Sequence, residues 1–201
     1  QVCLHAGLEV VGRDVAPELG ERARGRIDHY LSRGVEKGRL TQDAKDAALA
    51  NLTLTTELSE LAGCQLVIEA AFEDLGVKRE LFGELDRILA PPAILATNTS
   101  ALSVTQIADA TATPERVVGL HFFSPVPVMR LVEVVVGLDT DAAVVTRVEG
   151  FVRQLEKQPI RTKDRSGFIV NMLLVPYLMA AVRMFEDGFA TREDIDDGMK
   201  L

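Results

Sequence analysis

His121 stands at the end of the apolar run Val117-Val118-Gly119-Leu120. An imidazole exchanges protons near neutrality, with an unperturbed pKa of about 6.5. A histidine at the mouth of a buried strand is therefore a candidate acid/base, although a hydrogen-bonded core histidine is the plainer reading. Glu133 interrupts the next apolar run, Leu131 to Val136. A carboxylate buried there without a partner would be costly. Pairing with His121 would satisfy it, fix the ring tautomer and stabilise an imidazolium. Strand alternation leaves open that Glu133 instead faces outward. Asn171 interrupts the most apolar stretch of the chain, between Arg165 and Arg183. A buried amide needs partners, either backbone groups nearby or a substrate oxygen across a cleft. Ser100 ends the polar triplet Asn98-Thr99-Ser100; a serine in a turn is commonplace, and its claim is the weakest of these. Asp14 closes the segment Leu8 to Arg13. An acid at the end of a first visible strand suits the ribose diol of a dinucleotide and repels a 2′-phosphate, which favours NAD over NADP. A solvated capping aspartate reads equally well, and Arg13 beside it weakens the cofactor preference.

These residues need a scaffold. Gln1 to Ala6 reads as the tail of a helix with Gly7 as its stop. Leu8 to Asp14 reads as a strand, and Pro17 suits the first turn of a helix. Leu19, Ala23, Ile27, Leu31 and Val35 recur at helical spacing. Thr41 can cap a second helix running to Asn51. Strands follow at Gln65–Glu69, Ala93–Ala96, Val117–Leu120 and Leu131–Val136, with an edge strand at Pro159–Thr162. Helices fall between them at 74–89 and 141–156, and Ser103 with Gln106 has capping-box spacing. Alternating strands and helices imply an α/β layer with a largely parallel sheet. Ligands then gather outside the carboxyl ends of the strands, where Asp14, Glu69, Glu73, Asn98, Ser100 and His121 all fall. Beyond Lys163–Gly167 strands cease. Phe168–Glu186 reads as a long helix and Thr191 starts another, so two domains are expected, 1–164 and 165–201.

Charge narrows the function classes. The net charge is −8 and the pI about 5.0, which disfavours broad attraction to nucleic acid or anionic membranes. Arg33, Lys37 and Arg39 form a small basic group that could meet phosphates or simply face solvent. Cys3 and Cys64 lack metal-binding spacing, no metal is expected, and a reduced intracellular setting is the simplest reading. The uncharged stretch after Arg165 is slightly short for a membrane span and contains Asn171 and Pro176, so it is expected to be a buried core helix. The helical start and abrupt helical end suggest a piece of a longer chain, with a glycine-rich phosphate loop expected before Gln1.

Several segments carry a family resemblance. Gly119-Leu120-His121-Phe122-Phe123-Ser124-Pro125 through Glu133-Val134 closely resembles the signature of the L-3-hydroxyacyl-CoA dehydrogenases. Ala96-Thr97-Asn98-Thr99-Ser100 resembles that family's Asn-Thr-Ser loop, and Lys163-Asp164-Arg165-Ser166-Gly167-Phe168-Ile169-Val170-Asn171 its interdomain stretch. Leu66 to Ala70 with Glu73, Asp74 and Lys78, and Glu193 to Asp196, match in the same order. The resemblance implies a Rossmann-like, mostly parallel sheet followed by an all-helical, truncated C-terminal domain. It implies NAD as cofactor and an acyl-CoA substrate, of short chain such as 3-hydroxybutyryl-CoA, in a cytoplasmic homodimer of fatty-acid metabolism. His121 would be the catalytic base, Glu133 the acid that orients it, and Ser100 and Asn171 the groups holding substrate oxygens. Asp14, Glu73, Lys78, Asn98 and Ser124 would line the cofactor site; Ser124 stands where the family commonly has asparagine. A sister dehydrogenase acting on a sugar acid, or a non-catalytic structural protein on the same fold, is the alternative. Retention of His121, Glu133, Ser100 and Asn171 together argues against lost chemistry.

Overall fold

A computed structural model describes residues 1–200. A short helix, α1 (Val2–His5), is left through Gly7 at φ +75°, the left-handed turn that glycine adopts freely. Then come β1 (Val10–Arg13), α2 (Pro17–Glu36, with proline in its first turn) and α3 (Gln42–Ala50), whose cap Thr41 accepts from the Ala44 amide. The strand β2 (Leu52–Thr55) pairs in parallel with β1, Val10 opposite Leu52 and Arg13 opposite Thr55. Sequence reading passed over β2. It is only four residues long and follows α3 almost at once, so periodicity has no room to show.

The remaining elements are β3 (Leu66–Glu69), α4 (Leu75–Ile88), β4 (Ile94–Thr97), α5 (Val104–Ala108), β5 (Val117–Phe122), β6 (Leu131–Val136), α6 (Ala142–Gln154), β7 (Gln158–Lys163), α7 (Val170–Glu186) and α8 (Arg192–Lys200). Strands β3 to β7 form one sheet in sequence order, with β7 at its edge as expected. Every pairing is parallel except β5 with β6. The loop 123–130 joins those two without a crossover helix, and so short a connection suits an antiparallel pair.

Strand alternation sorts the core into two layers. Leu95, Val117 and Val135 face Phe82 and Leu85 of α4, Leu89 just after it, and Val104 and Ile107 of α5. Their neighbours Ala96, Val118 and Val134 face Val144, Val145, Val148 and Val152 of α6. Leu4, Leu31, Ala48 and Leu52 form a third cluster under β1 and β2.

One expectation fails. The apolar stretch after Arg165 is not a buried core helix: α7 has no buried residue, and Leu173 is 70% exposed. Hydropathy says that such a face needs cover but not where the cover lies. Among the described residues only the acidic α8 follows it, and α8 buries nothing either. No helix among the described residues is long and apolar enough to cross a membrane.

Candidate active site

The parallel run β3-β4-β5 brings three strand ends to one edge of the sheet. Glu69 ends β3, Asn98 follows β4, and His121 lies one residue from the end of β5. The antiparallel register then places Glu133 of β6 directly opposite His121, so both side chains project from the same face of the sheet. His121 Nδ1 lies 2.7 Å from Glu133 Oε2. His121 is 5% exposed and Glu133 fully buried, so Glu133 does not face outward. Its second oxygen, Oε1, accepts from the amides of Ile169 and Val170, each at 3.0 Å. These amides open α7, where an anionic acceptor is favoured. One carboxylate thus ties the imidazole to the start of the helical region. The rings of Phe123 and Phe168 flank the imidazole at 4.5 and 5.5 Å.

A second cluster surrounds Lys78, which is 1% exposed. Its ammonium donates to Glu69 Oε1 at 2.6 Å and to the Ala71 carbonyl at 3.3 Å, and Glu73 Oε2 lies 3.4 Å away. Glu69 also accepts from the Thr97 hydroxyl and the Ala71 amide. Glu73 Oε1 accepts from the Thr99 hydroxyl and, at 2.9 Å, from the Ser100 amide. Burial works to raise the Glu73 pKa. The hydrogen bonds from Thr99 and Ser100 and the Lys78 charge outweigh it and hold the group below the usual carboxylate range. The network therefore links the end of β3, through Lys78 and Glu73, to the backbone of Ser100.

The remaining candidates are placed more loosely. Asn98 Oδ1 accepts from the Phe122 amide at 2.9 Å, which fixes the orientation of its side-chain amide. Asp14 directly follows β1 of the two-stranded sheet, and its Oδ1 accepts from the Val15 amide at 2.8 Å. Ser100 and Ser124 are exposed, and Asn171 is half-buried in the first turn of α7, next to the residue whose amide reaches Glu133. A small cavity of about 150 Å³, lined by Cys64, Ala93 and Arg147 among others, contains none of these residues. A dinucleotide would find an acid for its ribose at Asp14 and polar donors at Asn98 and Ser124, so the residues present fit NAD. Lys78 is enclosed by acids and a carbonyl, which makes it a support for Glu73 in this geometry. Sequence reading gave no role to Thr97, Thr99 or Phe168 and none to Glu69 beyond its position. The available signal was an acid ending a strand shortly before a lysine in the following helix.

Residues 1–165 match the family model for the 3-hydroxyacyl-CoA dehydrogenase NAD binding domain, and residues 167–201 match the C-terminal domain of the same enzymes. The chain is 51% identical to a 3-hydroxybutyryl-CoA dehydrogenase of Mycobacterium tuberculosis, over 98% of this chain and 69% of that protein. It is 41% identical to the human mitochondrial hydroxyacyl-coenzyme A dehydrogenase, over 100% of this chain and 66% of that one. The crystal structure of (S)-3-hydroxybutyryl-CoA dehydrogenase from Ralstonia eutropha superposes with a TM-score of 0.97 at 38% identity, covering 100% of this chain and 71% of that one.

Proposed function

This chain belongs to the 3-hydroxyacyl-CoA dehydrogenase family, and on that premise we propose that His121 is its acid/base and Glu133 the residue that orients it. The reaction is the NAD-dependent oxidation of a 3-hydroxyacyl-CoA to the 3-oxoacyl-CoA, run in either direction. Bound NAD would supply the hydride acceptor for this oxidation.

The protein's part is proton transfer and placement. With Glu133 accepting from Nδ1–H, the lone pair of His121 lies on Nε2, the nitrogen that takes the hydroxyl proton. The imidazolium so formed sits against a carboxylate, which stabilises it. The Ser100 hydroxyl and the Asn171 amide hold the substrate oxygens. Asp14 would accept from the adenosine ribose, while Asn98 and Ser124 would line the nicotinamide side. Glu73, supported by Lys78, keeps the Ser100 loop in register with the cofactor site. The observation that carries this reading is the buried His121–Glu133 pair at 2.7 Å.

The finer reading is a short-chain substrate, 3-hydroxybutyryl-CoA, supported by the names of the bacterial relatives. The homodimer is carried over from the family resemblance alone. A cytoplasmic place in fatty-acid oxidation accords with the intracellular pools of NAD and acyl-CoA. The test is NADH absorbance with acetoacetyl-CoA, after confirming intact mass. His121→Ala is expected to lose at least ~10²-fold in rate; a variant as fast as the parent refutes the assignment.

A further inference from the structure

Lys157 is a buried cation that neither the His121 pair nor the Lys78 network uses. It is 8% exposed. Its ammonium donates to two backbone carbonyls, Val126 at 2.6 Å and Met129 at 2.7 Å. Burial pulls its pKa below that of a solvated lysine, and no acid among the described residues offsets it. A charge withdrawn from water without a counter-ion is costly, so these two contacts are what the buried ammonium is set against.

The chain bends sharply to put it there. At the end of α6 the Glu156 amide donates to the Arg153 carbonyl and the Lys157 amide to the Val152 carbonyl, the paired bonds of a Schellman turn. Glu156 takes the left-handed position at φ +57°, where glycine is usual. Non-glycine residues persist in that region when their surroundings over-determine them. The next residue, Gln158, donates its amide to the Arg130 carbonyl at 2.7 Å. Lys157 and Gln158 together therefore grip one segment, residues 123–130.

That segment leaves β5 immediately after the His121 strand end. It carries Phe123, which lies against the imidazole, and Ser124. Most of its residues are exposed, Val128 by 72%, so apolar packing holds little of it. Within it, the Val128 and Met129 amides both turn back to the Pro125 carbonyl. The carbonyls that Lys157 holds belong to Val126, just inside this turn, and to Met129, at its end.

We propose that Lys157 is a positioning residue whose ammonium, clamped on the Val126 and Met129 carbonyls, sets the 123–130 loop as the wall beside His121. The proposal rests on the reading of His121 as the base, and the test separates the two. Hydrogen–deuterium exchange of peptides covering 123–130 is measured in the parent, Lys157→Met and Lys157→Arg, together with NADH-dependent reduction of acetoacetyl-CoA across pH. Losing two charge-assisted bonds is expected to raise exchange in the loop on the order of 10-fold or more, with β5 and β6 unchanged. The methionine variant is expected to lose roughly 10-fold or more in kcat/KM, since small misplacements near the chemistry are expensive. Its pH profile should not move, because His121 and Glu133 are untouched. Lys157→Arg is expected to recover part of both effects. Unchanged loop exchange, a uniform rise over the whole chain, or a loosened loop with kcat/KM within about twofold of the parent overturns the proposal. If the parent shows no turnover, exchange in the 123–130 loop alone decides the clamp. Should the methionine variant not fold, Lys157→Gln is read in the same way.

Discussion

Glu133→Gln tests the dyad most sharply, because the carboxylate has three fixed donors and an amide can serve only some of them. Oε1 faces the Ile169 and Val170 amides, and Oε2 faces His121 Nδ1. A glutamine has one oxygen and one amino group. With its oxygen toward α7, its amino group meets Nδ1 and forces the imidazole proton onto Nε2, which then cannot accept a proton. With the amide flipped, two buried N–H groups face a donor, at about 1–3 kcal/mol each. The competent arrangement therefore lies about 2–6 kcal/mol above the other, a population factor between ~30 and ~10⁴. The substitution is expected to lower kcat by an amount in that range while the fold survives. The assay is NADH oxidation with acetoacetyl-CoA, with ¹⁵N spectra of the imidazole to read the tautomer. A glutamine variant within about threefold of the parent, or one that loses activity with the proton still on Nδ1, refutes the reasoning.

Other outcomes follow from the same geometry. Lys78→Met leaves Glu69 buried without its cation, which is expected to cost about 3–5 kcal/mol in urea unfolding; adding Glu69→Gln should recover a good part of it, and a strictly additive double variant would count against the pair. Gly119→Ala puts a methyl 2.6 Å from Val135 Cβ and 2.9 Å from Val104 Cγ2. It should destabilise by roughly 1–3 kcal/mol, read as a lower melting temperature. Burial works to raise the Asp164 pKa, but bonds from Thr105, Ser103 and Val104 at the start of α5 outweigh it and depress it. A depressed carboxylate stabilises the fold above its unfolded-state pKa, and that contribution fades as pH falls through the folded value. The melting temperatures of the parent and Asp164→Asn should therefore differ at neutral pH and converge in acid; a gap that widens in acid would contradict this.

Much of the scaffold was legible because its signals are local. The apolar runs of β3 to β6, the caps Thr41, Asp74, Ser103 and Asp141, and proline at the start of α2 each depend on residues within a turn or a strand. Polar residues at strand ends nominated His121, Asn98 and Glu73, and the family motifs extended the set. The same local reading missed β2 and, though it placed α7, could not say what covers it, since apolarity records a need for burial without naming the partner. By itself, then, the sequence determined that alternating strands and helices would gather certain polar side chains at one edge of a sheet. Only tertiary structure decided that Glu133 faces His121 and that one carboxylate also holds α7. It alone decided that Lys78 is shut in by Glu69 and that Lys157 reaches back to the loop beside the imidazole. Each of those depends on strand register or on contacts between residues far apart in the chain, and both are set when separate elements bury their faces together.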